Sequence, residues 1–435
     1  MLRALPPLLF LVSAWPTRPS VVDDAYVSLR YARNLALGNG LVYNAGEPPV
    51  EGYTDFLWVL LMAPGTRLPL HPATWATGWG LAFGALAVML CERLAHALGA
   101  GRASLAAGLA LALNPHFGIA ASNGLETSMF VAGVLGAAWA AIAGPPVIAG
   151  LLAGSLYLVR PEGLAVGGAL AIRDRRALAA FAAVVVPYFL ARGAYFGTLV
   201  PNTYFAQARK PFLEMWAMNR GYFERCTELW VGGGVLLAGA ALERRKWLLV
   251  AIAAGLVVVA LRVYNWMPGG RLLLPSLAIA LAAMPSRLAI PAFLWTAWLS
   301  FGPPRAAEAR YDERNTVLPD GGGERLGREI AARAEPGDWL LARDAGVVPY
   351  FAGPDVDVID IHDHSLTEPR LTGKPFDYAW LLDRDVAFLV TTTMQDDQFP
   401  TAYVPEKRLL KLRAWEHAGT WKQHHRRYFH LWTPS

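Results

Sequence analysis

The sequence predicts a mainly α-helical membrane protein that crosses the bilayer many times and is followed by a small α/β domain outside the membrane. Hydrophobic side chains make up 54% of the 435 residues and charged side chains only 17%, which is too apolar for an average soluble domain. Apolar segments recur between residues 55 and 301, and residues 305–435 hold most of the Asp, Glu and His. A membrane region followed by one soluble domain accounts for both patterns.

The apolar segments predict about ten or eleven spans. The first segment, Met1 to Trp15, is also typical of a signal peptide, but the Pro16 to Pro19 exit favours an uncleaved helix. The later segments are 55–66, 74–92, 104–121, 127–143, 147–172, 177–196, 229–242, 247–263, 272–284 and 288–301. Strict alternation requires either 55–66 or 147–172 to be re-entrant or to be counted differently. We therefore predict a transmembrane catalytic domain over residues 1–302, with a first outer loop at 18–54, and a soluble extracytoplasmic domain over 303–435.

Basic loops predict the orientation. Arg173 to Arg176 and Glu243 to Lys246 are the strongest cytoplasmic candidates, because positive residues are retained on that side. The acidic pair after the first segment, the 197–228 loop, the 264–271 loop and the C-terminal domain then fall outside. The expected location is the cell inner (cytoplasmic) membrane, with the C-terminal domain extracytoplasmic.

The C-terminal domain is predicted from alternating strand and helix patterns. A Gly321 to Gly323 linker precedes helical periodicity at Leu326 to Ala334. Strands are predicted at 339–342, 356–361 and 386–392, and an edge strand at 428–432. Cys91 and Cys226 are too isolated to predict a disulfide framework or a cysteine metal site.

The densest polar segment before residue 170 begins with Asp23 and Asp24. Two adjacent carboxylates at the edge of a membrane are more often functional than incidental. The structural alternative is that Asp caps a helix running to Leu37 and stopped by Gly38 or Gly40. Capping explains one aspartate and leaves the other carboxylate available for catalysis.

Further polar residues are grouped on the predicted outer side. Glu126 stands at a helix start, where a carboxylate also suits the helix dipole. Arg160 and Glu162 interrupt an apolar segment, either as an ion pair or as the lining of an aqueous cavity. Arg271 follows a glycine pair and is placed to hold a phosphate or to snorkel to the interface.

Several other classes of function find little support. The sequence contains no P-loop, dinucleotide-binding fingerprint or nucleophile elbow. The net charge is +5, and the clusters of basic residues lie in short loops. This placement indicates the topology of the chain in the membrane and not a nucleic-acid partner. His362, Asp363 and His364, with His424 and His425, are only a weak zinc signal.

Taken in order, several motifs resemble the GT-C superfamily of membrane glycosyltransferases, and in particular the group of the mycobacterial terminal arabinofuranosyltransferase. The motifs are Asp23-Asp24-Ala25-Tyr26, Arg30 to Leu35, Gly40 to Asn44, Glu51 to Thr54, Gly124 to Thr127, Arg160 to Gly163, Pro201 to Tyr204 and Gly270-Arg271. The resemblance implies a GT-C-like fold, a polyprenyl-phosphate sugar as donor, and the acidic pair as the catalytic element at the outer face of the membrane.

The sequence-based hypothesis is therefore the transfer of arabinofuranose, or another pentose or hexose, to a cell-envelope glycan, lipid or protein. Asp23 or Asp24 would be the general base, and the other carboxylate would orient the substrate or a divalent cation, whose participation is left open. The candidate substrate-binding residues are Arg30, Glu51, Tyr53, Glu126, Arg160, Glu162, Asn202, Tyr204 and Arg271. The competing hypotheses are a transporter or flippase of a lipid-linked sugar, favoured by buried acids and broken helices, and a non-catalytic assembly protein with a sugar-binding tail.

Overall fold

The structure is a computed structural model of the full chain. It describes residues 4–15, 21–207, 211–264, 267–302, 316–361, 366, 386–393, 415–424 and 427–434. The chain divides into two compact units. We call residues 1–18, 76–192 and 210–312 the helical unit, and residues 19–75, 193–209 and 313–435 the mixed unit.

The mainly helical architecture with a small C-terminal sheet is confirmed. The helices are α1 Leu5–Ala14, α2 Asp23–Leu37, α3 Phe56–Met62, α4 Pro72–Ala97, α5 Ser104–Ala112, α6 Pro115–Ser122, α7 Thr127–Ala143, α8 Pro146–Val159, α9 Gly163–Ala171, α10 Arg175–Phe196, α11 Asn202–Gln207, α12 Phe212–Arg225, α13 Thr227–Ala241, α14 Trp247–Arg262, α15 Leu274–Ala283, α16 Ala289–Phe301, α17 Gly322–Arg333 and α18 Val347–Ala352. Short 3-10 helices cover Ala63–Arg67, Gly101–Ala103, Arg244–Lys246, Pro268–Gly270 and Ser286–Leu288.

Within the described residues, two helices, α4 and α10, are long and apolar enough to cross a membrane. The number rises to four if each of two bent pairs, 101–122 and 274–301, is one span. The expected ten or eleven spans therefore stay a prediction. The 147–172 segment is broken where Arg160 leaves the helix in an extended conformation (φ −155°, ψ 145°), between α8 and α9. The 55–66 segment is only a seven-residue helix, α3, and a 3-10 turn.

Small residues let the helices of the helical unit pack closely. A Cβ on Gly150 would overlap with the backbone of Ala177, and a Cβ on Gly167 would overlap with the carbonyl of Ala153. Close backbone approach at glycine is the usual way in which membrane helices gain packing contacts. All ten residues of α15 are buried, which makes α15 the centre of this unit.

The sheet of the mixed unit has the strand order β2-β1-β3-β5-β4. The strands are β1 Trp339–Ala342, β2 Asp357–Asp360, β3 Val386–Thr393, β4 Trp415–His424 and β5 Arg427–Pro434. Strand β1 pairs in parallel with β2 and β3, whereas β5 runs antiparallel to both β3 and β4. Leu341, Ile359, Leu389 and Trp432 form part of its buried core.

Two expectations about this unit were wrong. The segment at 428–432 is not an edge strand, because β5 lies between β3 and β4. The expected linker Gly321 to Gly323 is instead a helix start, with Gly321 as the N-cap and Gly322 and Gly323 buried in the first turn of α17. Glycine is accepted at this position because an N-cap needs extended backbone more than a side chain.

Candidate active site

Helix α2 presents the acidic pair at its first turn. The N-cap is Val22, in extended conformation (φ −92°, ψ 160°) and without a capping side chain, so Asp23 and Asp24 occupy the first two helical positions. Negative charge there interacts favourably with the helix dipole. The helix ends at Gly38, whose φ of 93° supports a left-handed cap, as predicted.

The carboxylate of Asp23 is bound by backbone N–H groups far away in the sequence. Its Oδ2 accepts from the N–H of Gly346 at 3.0 Å and its Oδ1 from that of Val347 at 2.9 Å. Asp23 is only 5% exposed. The expectation that an aspartate caps α2 is therefore corrected: Asp23 binds the free N–H groups at the start of α18, which precede that helix's own hydrogen bonds.

Asp24 has a different environment from its neighbour. It is half-buried, whereas Asp23 is buried. A general base must reach the proton of a substrate hydroxyl, so it needs an accessible oxygen. Of the two carboxylates, Asp24 is the better candidate for that role.

Arg30 is fully buried and its N–H groups are all used within the protein. They donate to five oxygen atoms, those of the Tyr43, Pro349, Gly353 and Val356 carbonyls and of the Asn44 side chain. Burial lowers the pKa of Arg30, and the ring of Tyr43 lies 4.9 Å from its Cζ. This arrangement gives Arg30 a structural role in the mixed unit in place of the expected substrate contact.

The remaining candidates of the mixed unit come from two segments. The Asn202 N–H donates to the Glu51 carbonyl at 2.8 Å, which joins the start of α11 to the motif at 51–54. Tyr53 is buried against Tyr31, with ring centroids 4.8 Å apart. Tyr204 is 56% exposed and is the candidate in these segments best placed to contact a ligand.

Glu126, Arg160 and Glu162 form an ion triad in the helical unit. Arg160 Nη1 lies 2.8 Å from Glu126 Oε1, and its Nε lies 2.6 Å from Glu162 Oε1. The ion-pair alternative is therefore observed, extended by a second carboxylate. Because two carboxylates already neutralise Arg160, a phosphate contact for Arg160 is disfavoured. The triad instead carries one net negative charge.

Arg271 stands outside that triad. The preceding glycines have left-handed φ values, 79° at Gly269 and 57° at Gly270. A Cβ on Gly269 would press on the backbone of His116, and a Cβ on Gly270 would overlap with Leu229, so both positions require glycine. The pair is thus a fixed turn, not a flexible hinge. Arg271 is half-buried, and within the described part of the chain its Nε has no hydrogen-bond partner.

Arg33 lies in the motif from Arg30 to Leu35, and the sequence predicts no role for it. Its Nη1 donates to the Tyr350 carbonyl at 2.5 Å, and its Cζ lies 4.5 Å from the centre of the Tyr350 ring. Burial, together with the nearby Arg30, lowers the pKa of Arg33 to about 10. The sequence feature that could have indicated this role is the spacing of Arg30 and Arg33, because residues three apart lie on the same face of a helix.

A second unforeseen cluster centres on Glu324. Its carboxylate lies 3.0 Å from His71 Nε2 and 2.7 Å from Arg328 Nη2, and it accepts the Asp320 N–H at 2.9 Å. Burial raises the pKa of Glu324, but these hydrogen bonds outweigh burial and hold the pKa below its ordinary value. The pairing with His71 spans 253 residues, so no local pattern indicates it.

No metal centre emerges among the residues that the structure describes, since no three His, Cys, Asp or Glu side chains are grouped to hold an ion there. His362, Asp363, His364 and His425 lie outside the described residues, as does the side chain of His424. The zinc hypothesis and the participation of a divalent cation stay predictions.

The comparisons with known proteins confirm the resemblance to GT-C glycosyltransferases. The structure matches that of ArnT from Cupriavidus metallidurans bound to undecaprenyl phosphate, with a TM-score of 0.62 and 14% identity over 98% of this chain and 97% of that one. At this identity the match shows the fold alone: the chain shares the fold of that protein.

Two curated relatives add a more specific similarity. Terminal beta-(1->2)-arabinofuranosyltransferases of Mycobacterium tuberculosis and Corynebacterium glutamicum are each 30% identical to this chain, over 259 and 291 residues. The matches cover 52% and 55% of this chain but only 40% and 41% of the relatives, so the chain spans about two fifths of the curated proteins' length. No family model matches the sequence.

Proposed function

We propose that the protein is a membrane glycosyltransferase that uses a polyprenyl-phosphate sugar. The sugar is arabinofuranose or another pentose or hexose, and the acceptor is a cell-envelope glycan, lipid or protein at the outer face of the cytoplasmic membrane. The fold and the two arabinofuranosyltransferase relatives support the class of reaction. The observation that carries the proposal is the acidic pair, in which two backbone N–H groups hold Asp23 and leave Asp24 half-buried beside it.

The proposed reaction forms a bond between the acceptor hydroxyl oxygen and the anomeric carbon of the sugar. It breaks the bond from that carbon to the phosphate oxygen, which departs with the electron pair as polyprenyl phosphate. The carboxylate of Asp24 accepts the proton of the acceptor hydroxyl, because the hydroxyl becomes a far better nucleophile as it loses that proton. Asp23 is a positioning residue that ties the start of α2 to α18.

Arg271 is the proposed contact to the phosphate. Its Nε has no hydrogen-bond partner in the described part of the chain, and two conformationally restricted glycines fix the backbone before it. A guanidinium can donate two parallel hydrogen bonds to a phosphate and stabilise the charge that develops on the leaving oxygen. Tyr204 is the proposed aromatic contact to a sugar ring.

The direct test uses the purified full chain with a panel of polyprenyl-phosphate sugars and an acceptor preparation from the cell envelope. We expect release of polyprenyl phosphate that requires the acceptor and is strongly reduced in Asp24→Asn. Parallel reactions with a chelator, and with added Mg²⁺ or Mn²⁺, determine whether a divalent cation takes part. Acceptor-independent release, or parental rates in Asp24→Asn, would contradict the proposal.

A lipid-linked-sugar transporter is the second candidate, and the broken helix pairs favour it. Residues 101–122 bend by 58° and residues 274–301 by 114° at short breaks. Such interrupted helices commonly line substrate pathways in transporters. Reconstitution in vesicles separates the two functions: a transporter would move labelled lipid-linked sugar between leaflets without consuming it, whereas the enzyme would convert it.

A further inference from the structure

A cavity of about 370 Å³ lies at the end of the helical unit that is predicted to face the cytoplasm. Its lining residues are Gly239, Leu242, Glu243, Pro285, Ser286 and Arg287. The cavity forms where α13 ends beside the 114° bend between α15 and α16. Gly239 makes this approach possible, because a Cβ there would come within 2.9 Å of Leu288 and 3.2 Å of Pro285.

Basic side chains in and next to the cavity outnumber its one carboxylate. Its one carboxylate, Glu243, is already paired with Lys246 at 2.6 Å and Arg245 at 2.9 Å. Arg287 lines the cavity, is exposed, and has no carboxylate partner among the residues the structure describes. Arg244, in the 3-10 turn that follows Glu243, is exposed too and stacks on the Trp247 ring at 5.5 Å. One exposed guanidinium group, that of Arg287, therefore lines the cavity, and a second, that of Arg244, lies in the turn directly after the lining residue Glu243.

Apolar side chains close to the cavity are exposed, which indicates contact with lipid. Leu242 in the lining is 73% exposed and Ile290, at the start of α16, is 71% exposed. Trp247 is also exposed, and its indole N–H donates to the Ala241 carbonyl at 2.7 Å. Tryptophan and arginine beside exposed aliphatic residues are typical of the depth at which lipid headgroups lie.

We propose that this cavity binds the phosphate of an anionic phospholipid headgroup. Arg287 and Arg244 supply the guanidinium groups and Ser286 a hydroxyl, while the acyl chains lie along the aliphatic surface of Leu242 and Ile290. The cytoplasmic leaflet is the anionic one, so the predicted orientation places the cavity where such lipids are concentrated. The inference is independent of the proposed transferase activity.

Native mass spectrometry of the full chain in detergent tests this site. The purified protein is titrated with phosphatidylglycerol, and separately with phosphatidylcholine and with inorganic phosphate. We expect the tightest phosphatidylglycerol site to weaken about fivefold in Arg287→Gln and further in the double variant Arg244→Gln/Arg287→Gln. Arg325→Gln removes an exposed arginine from α17 in the mixed unit and is the matched control, which should bind like the parent.

The same titrations identify the source of the phosphate. Inorganic phosphate at the lipid concentration should neither bind measurably nor displace phosphatidylglycerol, because it lacks the acyl contacts. Unchanged phosphatidylglycerol binding in the double variant, equal binding of phosphatidylcholine, or displacement by inorganic phosphate would each overturn the proposal. Thermal melting of every variant checks folding; parental melting temperatures are expected because both arginines are exposed.

Discussion

Asp23 and Asp24 are neighbours in sequence, yet they should respond differently to the same substitution. Asp24→Asn keeps the shape of the side chain and removes the proton acceptor, so turnover should fall by roughly 10² to 10⁴-fold with an unchanged melting temperature. The measurement is sugar transfer at equal membrane abundance of parent and variant. Parental turnover in Asp24→Asn would remove this residue from the catalytic role.

Asp23→Asn should mainly affect stability. Both carboxylate oxygens of Asp23 accept backbone N–H groups, and an asparagine would turn one NH₂ group toward a donor. We expect a loss of about 1–3 kcal/mol in the free energy of unfolding. Chemical denaturation of the purified variant measures it, with Asp24→Asn as the matched control. Equal stability of the two variants would show that the bonds to Gly346 and Val347 contribute little.

Arg271→Lys tests the proposed phosphate contact. Lysine keeps the positive charge but cannot form two parallel hydrogen bonds, so transfer should fall by at least tenfold while expression is maintained. Arg220→Lys, at an exposed pair with Glu224 in the same unit, is the control and should keep parental activity. If Arg271→Lys turns over like the parent, Arg271 is an interfacial arginine without a ligand.

The sequence identifies the charged residues of the candidate site but not their partners. Arg30 and Arg33 lie in one motif, and the sequence alone does not distinguish their roles. Yet all N–H groups of Arg30 are satisfied, whereas in the described part of the chain the buried Nε and Nη2 of Arg33 have no hydrogen-bond partner. The acceptors for Arg30 at Pro349 and Val356 lie 319 and 326 residues away. Local patterns do not encode such distant contacts, so burial and saturation could not be predicted.

Among the elements, the turn before α18 offers a sensitive test of packing. A Cβ on Gly346 would overlap with the carbonyl and carboxylate oxygens of Asp23. Gly346→Ala should therefore lower the melting temperature markedly, because backbone on both sides would have to move. Gly255→Ala, in the middle of α14 with open space around it, is the control and should be neutral or slightly stabilising. Similar melting temperatures for both variants would contradict this tight contact.

Helix α17 is expected to give the mixed unit an acid-sensitive stability. The pKa of Glu324 is lower in the folded protein than its ordinary value near 4.5, so the ionised form stabilises the fold. That stabilisation is present above about pH 4.5 and is lost as the pH falls through the folded pKa. Melting temperatures of the parent between pH 3 and 7 should decline below that point. Glu324→Gln should show a weaker decline, and an unchanged decline would reject this assignment.

The sequence predicts the bounds of a helix or strand well where a single hydrophobic pattern dominates the segment. The span of β1 matches the prediction, and α7 follows its apolar segment, because a continuous apolar or β-branched run defines each. Strand β4 was missed: its sequence, Trp415 to His424, is polar and contains Gly419 at a register shift. Without β4, the sequence pattern places the neighbouring β5 at the edge of the sheet.

For the whole molecule, the orientation is the prediction that the site assignments depend on most. A reporter fused after Ser435 should be active only on the outer side of the membrane, because the basic loops at 173–176 and 243–246 are expected inside. Single cysteines placed in those two loops should be labelled only after the membrane is permeabilised. A cytoplasmic C-terminal reporter would move the acidic pair to the inner face as well.

Hydropathy alone could not define the units of the fold. It separated an apolar region from the C-terminal residues, whereas the structure groups residues 19–75 and 193–209 with residues 313–435. The reason lies in hydrogen bonding: α2 carries buried polar groups whose partners are in the last third of the chain. A hydropathy profile indicates whether each segment prefers the membrane or water. It does not indicate which segments form hydrogen bonds with each other.

The long separation between α2 and its partners has a consequence for synthesis. Asp23 and Val347 are 324 residues apart, and a ribosome adds about 5–20 residues per second, so roughly 15 to 65 s pass before Asp23 can meet its partner. During that interval the buried charges of α2 must stay hydrated or be held by a chaperone. The segment with the catalytic candidates is thus translated well before its partners and matures only after them, so a nascent chain that stalls before residue 345 would be inactive.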